Sequence, residues 1–266
     1  MLQPGADAGT ADRLSYSGAV ALREILNGGQ PAIGGWCVMP GSFTAEVMAR
    51  AGFDWVCIDT QHGLIGYQEM LTMLQAVAVA AVPAVVRVPW NDPAWIMKAL
   101  DAGAAGVIVP MVNSPEEATA AVGACRYPPA GYRSWGPTRA ALGAPDFSPE
   151  LANRSVVCAV MVETVPALER LAEIVSVPGV DVVFIGPSDF AISMGFAPRS
   201  DEAEHRRRLE AVPEVCREHG VVAGIACGSL ELLERWRKSG YTMLAAPSDM
   251  VLLRQAASAM LNTSRQ

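Results

Sequence analysis

Short apolar runs rich in β-branched residues recur along this chain, and each is followed by a stretch with helical spacing. They cover Ala32 to Met39, Trp55 to Asp59, Ala84 to Val88, Gly106 to Val109, 156–162, 182–185, 221–226 and 242–246. They lack the apolar/polar alternation of a half-exposed strand, so both faces must be covered. That is the pattern of parallel strands crossed by helices. Eight strand-then-helix units close into a (β/α)8 barrel, which fills all 266 residues as a single domain, 1–266. A 51% apolar content supplies its core.

Boundary residues mark the helices between these runs. Asn27-Gly28-Gly29 ends a helix that begins near Ser15, and Ser42 is expected to cap the next one, to Ala51. Pro93 opens a helix stopped by Gly103. Ser114-Pro115-Glu116-Glu117 combines a cap, a proline at the first position and acids in the first turn. Further helices are predicted over 165–175, from about 201 to 218, over 230–239 and from about 249. Residues 1–14 read as a flexible leader. The segment 127–149, with five prolines, reads as a long loop on the active-site side.

A net charge of −7 argues against nucleic acid or an anionic membrane as a partner. No run reaches the ~18 apolar residues of a membrane span, and no secretion signal is present. The six cysteines form no CxxC pair and read as buried free thiols of a reducing cytoplasm.

In such a barrel, chemistry sits where strands end and helices begin. The second run ends Asp59-Thr60-Gln61-His62, the third carries Arg87, the fifth stops on Glu163, and the sixth ends Gly186-Pro187-Ser188-Asp189. Carboxylates at the ends of two rigid strands suit a hard divalent cation with positions left for water or substrate. The same residues could instead serve helix starts, Glu163 capping the helix near Val165 and Asp189 opening the next. His62 stands three residues after Asp59, which could accept its Nδ1–H and leave Nε2 as a base. Otherwise it is a loop histidine bonded to backbone. His205 lies in a run of charges and reads as part of a solvated helix face, and His219 sits at a helix end. Arg87 inside a strand needs an anionic partner, either a structural carboxylate or a substrate oxygen. The only lysines, Lys98 and Lys238, fall in predicted helices, which argues against imine chemistry.

With those residues in order, the chain resembles the HpcH/HpaI aldolase family of metal-dependent pyruvate aldolases, related to citrate and malyl-CoA lyases. The resemblance rests on Gly52-Phe53-Asp54-Trp55 leading to Asp59-x-x-His62, on Val86-Arg87-Val88-Pro89, and on Gly103 through Val112. Arg126-Tyr127-Pro128-Pro129-Ala130-Gly131-Tyr132-Arg133, Val162-Glu163-Thr164 and Gly186-Pro187-Ser188-Asp189 complete it. It implies that Glu163 and Asp189 hold a divalent ion (Mg, Mn or Co) chelating pyruvate. Arg87 would stabilise the enolate oxygen, and His62 with Asp59 would handle the proton of the aldol hydroxyl. Arg87, Gly186, Pro187, Ser188, Met161 and Trp36 form the expected substrate-contact set. The implied reaction is reversible cleavage of a 4-hydroxy-2-oxo acid to pyruvate and an aldehyde. The implied assembly is a hexamer, a trimer of dimers that exchange the last helix.

Two positions depart from the family. Met161 stands where a glutamine is frequent, facing inward with Glu163 by strand alternation, and Gln61 replaces a frequent glutamate. Both point to a bulkier, less polar aldehyde. Competing readings are a C–C lyase of CoA thioesters, drawing on Arg126, Arg133 and Arg139 for the CoA phosphates, and a non-catalytic barrel in which Asp59, Arg87 and Glu163 form a structural salt-bridge network.

Overall fold

The structure is a computed structural model that describes residues 17–142, 144–198 and 200–264. The expected leader and the first residues of the first helix lie outside these. Eight strands form a closed, all-parallel barrel in sequence order. They are β1 (Ala32–Cys37), β2 (Trp55–Asp59), β3 (Ala84–Arg87), β4 (Gly106–Val109), β5 (Val157–Val162), β6 (Val182–Ile185), β7 (Val222–Ala226) and β8 (Met243–Ser248). The (β/α)8 expectation holds.

Strand alternation divides the core in two. Val56, Ile58, Val86, Val160 and Val183 face the helices, whereas Trp36, Trp55, Cys57, Val85, Met161 and Phe184 fill the barrel interior. Trp55, the largest of the fully buried side chains, is admitted by Gly34: a Cβ there would come within 2.2 Å of the Trp55 ring. All six cysteines are buried and free. Among the described residues no helix is long and apolar enough to cross a membrane.

Several boundaries differ from expectation. Ser42 does not cap its helix (Ser42–Ala49); Gly41 holds the cap position, and no side chain bonds there. The helix expected over 201–218 is two, Ala203–Glu210 and Val212–Glu218, because Pro213 has no N–H to continue the ladder. The stretch 165–175 is also split, at Arg170. One helix appears that the sequence did not announce, Pro149–Ser155, and Pro187–Ser193 carries Asp189 in its first turn, as the helix-start alternative for that residue had it.

The segment 127–149 does not lie on the active-site side of its own chain. It follows a helix and leads toward a strand start, which places it at the barrel end where strands begin. Arg133 Nη2 donates to Asp101 Oδ1 at 2.6 Å and Arg139 Nη1 to the Ala102 carbonyl at 2.6 Å, both acceptors lying just before β4. Trp135 packs between Tyr127 and Phe147, with ring centroids 5.2 and 5.9 Å apart. Arg126 is on this floor too, paired with Asp181 ahead of β6 at 3.0 Å.

Candidate active site

At the opposite rim, strand alternation turns the last inward residues of five strands toward one mouth: Trp36, Asp59, Arg87, the Met161/Glu163 pair and Gly186. Asp59 and Arg87 stand opposite each other in the β2–β3 register. The guanidinium grips the carboxylate at two points, Nε to Oδ1 at 2.9 Å and Nη2 to Oδ2. Trp36 adds an indole N–H to Asp59 Oδ2 at 3.2 Å and lays its ring 5.0 Å from the Arg87 Cζ. Burial alone would push the Asp59 carboxyl up, but the bonds and charge of Arg87 outweigh it and hold it below the ordinary aspartate range. Burial likewise opposes the Arg87 charge, and Asp59 more than restores it.

Asp59 Oδ1 also accepts the backbone N–H groups of Gln61 at 3.0 Å and His62 at 3.2 Å. Its oxygens are therefore fully occupied, and the expected Asp59–His62 side-chain bond is absent. The His62 ring is instead exposed at the rim.

Glu163 is 2% exposed, and its carboxylate does not cap the following helix. That role falls to Thr164, which accepts from Ala167 N at 3.2 Å. Glu163 Oε1 accepts the Met111 N–H at 2.8 Å, while Oε2 lies over Gly186, where a Cβ would sit 2.3 Å from it. Burial first, and the negative charge of Asp189 with it, push the Glu163 carboxyl above the ordinary glutamate range, against the Met111 bond and the weaker pull of the Arg87 charge. Asp189 is exposed in the first turn of Pro187–Ser193.

Met111 and its neighbours escaped the sequence reading. Met111 adopts a left-handed backbone with φ 55°, uncommon for a bulky residue, and this aims its N–H at Glu163. Asn113 holds that turn, donating to the Met111 carbonyl at 2.8 Å and accepting from Thr164 Oγ1. No local sequence signal marks Met111. His205 is 3% exposed rather than solvated, with Nε2 at 3.0 Å from the Pro187 carbonyl.

The residues fit a divalent cation. The buried Glu163 carboxylate feels the negative charge of Asp189, and among the described residues no salt bridge neutralises either and no cluster of three or more His, Cys, Asp or Glu includes them. Hard oxygen donors that leave most positions open match a cation whose remaining ligands are substrate and water.

Relatives share this architecture. The family model for HpcH/HpaI aldolase/citrate lyase matches residues 36–256. The 4-hydroxy-2-oxo-heptane-1,7-dioate aldolase of Salmonella typhimurium is 39% identical over 243 residues, covering 90% of this chain and 92% of its own. The hydroxypyruvate/pyruvate aldolase of Rhizorhabdus wittichii is 39% identical over 246 residues, covering 92% and 98%. The crystal structure of an HpcH/HpaI aldolase/citrate lyase family protein from Burkholderia cenocepacia superposes with a TM-score of 0.88 at 31% identity, covering 93% of this chain and 100% of the other. Match length, identity and barrel geometry agree: the chain belongs to the HpcH/HpaI aldolase/citrate lyase family.

Proposed function

We propose that the protein is a divalent-metal-dependent aldolase that reversibly cleaves a 4-hydroxy-2-oxo acid to pyruvate and an aldehyde. Glu163 carries the reading: a buried carboxylate that feels the charge of Asp189, with no cationic side chain bonded to it. Glu163 and Asp189 would hold a divalent cation (Mg, Mn or Co), which when bound would supply Lewis-acid polarisation of the keto acid. The C3–C4 bond breaks, its electrons pass into the pyruvate enolate, the 4-hydroxyl gives up its proton as the aldehyde forms, and the enolate takes up a proton at C3 to give pyruvate. Arg87 presents the donors that Asp59 leaves free to the oxygen that becomes negative, an effect worth several kcal/mol of barrier. His62, exposed at the rim, takes the hydroxyl proton on cleavage and returns it in the aldol direction. Asp59 acts by holding Arg87 and the His62 backbone.

Gly186, Pro187 and Ser188 line the cation side, and Trp36 and Met161 form the inner wall. A thioether in that wall favours a less polar aldehyde than the semialdehyde acid implied by the heptane-dioate name of the Salmonella relative. The CoA-thioester reading loses its support, because Arg126, Arg133 and Arg139 bond at the far end of the barrel. A purely structural network accounts for Asp59 and Arg87 but leaves Glu163 and Asp189 without a counter-ion.

Pyruvate release across a panel of 4-hydroxy-2-oxo acids tests the reaction. Turnover is expected to vanish on chelation and return with added divalent ion. Turnover that survives prolonged chelation rejects the reading. Borohydride trapping of a pyruvate adduct would revive imine chemistry, against which Lys98 and Lys238 both stand exposed on helices.

The last helix, Asp249–Ser264, supports an oligomer. Only Asp249 is buried, bonding the Val38 and Met39 amides, while Met250, Leu253, Met260 and Leu261 are more than half exposed. An isolated helix of this length is marginal in water, so a second copy covers it, as in the exchanged dimers of a hexamer. Light scattering on the double variant L253E/L261E should report a smaller species than the wild type. An unchanged mass would remove this helix from the interface.

A further inference from the structure

Asp189 rides on a helix of only two turns, too short to hold its own position. A cation shared with Glu163 demands placement to within about 0.5 Å, so the helix must be pinned from outside. At its C-terminal end Ser193 Oγ accepts the Val165 N–H at 2.9 Å. At its N-terminal end the pin is His205. This imidazole lies on Ala203–Glu210, where the neighbouring Glu204, Arg206, Arg207 and Arg208 pair with acids or bases at the surface. Only His205 and Leu209, one turn apart, are buried there.

Because a carbonyl can only accept, His205 Nε2 donates to Pro187 O at 3.0 Å, two residues before Asp189. The same ring packs on Phe190, the residue after Asp189, with centroids 5.6 Å apart. Asp189 is thus bracketed by the two contacts of one buried side chain. A leucine would satisfy the packing, but only a donor fixes the carbonyl.

We infer that His205 is a positioning residue that fixes Asp189 for cation binding through the Pro187 carbonyl. The inference rests on the metal reading above and adds a residue to it. His205→Leu keeps the volume and removes the donor, whereas His205→Gln restores an N–H near the Nε2 position. Mn2+ binding to the full-length protein, followed by electron paramagnetic resonance of the free ion, separates the possibilities, with Asp189→Asn as reference and melting in chelator recorded for each protein. His205→Leu should weaken Mn2+ binding by roughly 10- to 100-fold, and His205→Gln should stay within about threefold of wild type. His205→Met carries the same comparison if His205→Leu does not fold.

Wild-type affinity in His205→Leu overturns the inference, as does equal weakening in His205→Leu and His205→Gln. Mn2+ binding that is absent from the wild type, or unchanged in Asp189→Asn, instead sinks the metal reading itself and this inference with it.

Discussion

Glu163→Gln is expected to abolish divalent-ion binding and to lower kcat/KM by about 10³-fold or more, while the ion-free protein stays at least as stable as the wild type. The two halves of this result have one cause. The carboxylate is 2% exposed, with Asp189 as a like-charged neighbour, so its charge opposes folding until a cation offsets it. Glutamine keeps an oxygen for the Met111 N–H and removes the charge. Ion titration and thermal melts in chelator check both halves. A variant that binds ions like the wild type, or melts well below it without them, contradicts the assignment.

Arg87→Ala should fail in the opposite way, keeping the ion within a few-fold and losing the chemistry by roughly 10²- to 10³-fold in kcat. It should also cost about 3–5 kcal/mol of stability, because Asp59 is left as a buried, unpaired carboxylate. Arg87→Lys retains the charge but cannot span both Asp59 oxygens, so it should recover little of kcat. Adding Asp59→Asn to Arg87→Ala should return stability without activity. The sign of the pH dependence follows from Asp59, whose carboxyl is held low. Its stabilisation is present above the ordinary aspartate range and is lost as pH falls through its depressed pKa, so the wild type and Arg87→Ala should converge in strong acid. Denaturant unfolding and steady-state kinetics provide the check. Undiminished kcat in Arg87→Ala would place the transition-state charge elsewhere.

The barrel was legible because covered parallel strands write themselves as uninterrupted apolar runs: β2, β4 and β6 occupy the predicted residues. The rim residues were legible for the same reason, since each ends such a run. What escaped was set by contacts distant in sequence. Gly186-Pro187 reads as the end of a strand, yet proline at a first helical position also opens the helix that carries Asp189. Ser148-Pro149-Glu150 repeats the Ser114-Pro115-Glu116 signature and caps a helix in the same way. The misplacement of 127–149 came from proline content outweighing order along the chain: a segment that follows a helix returns to the end where strands begin. His205 is hidden among charges because the partner that buries it is a carbonyl 18 residues away. The role of Met111 depends on a backbone angle that no side chain advertises.

The fastening of the strand starts has a consequence for how such an enzyme can change. Arg23 and Arg126 converge on Asp181, and Arg133 reaches Asp101, tying together segments that precede β4, β5 and β6. The turns that shape the cup, 38–41, 60–66, 88–92 and 110–113, contribute no partner to those ties. Acceptor preference can therefore drift by substitution in the cup while the foundation retains its ionic girdle.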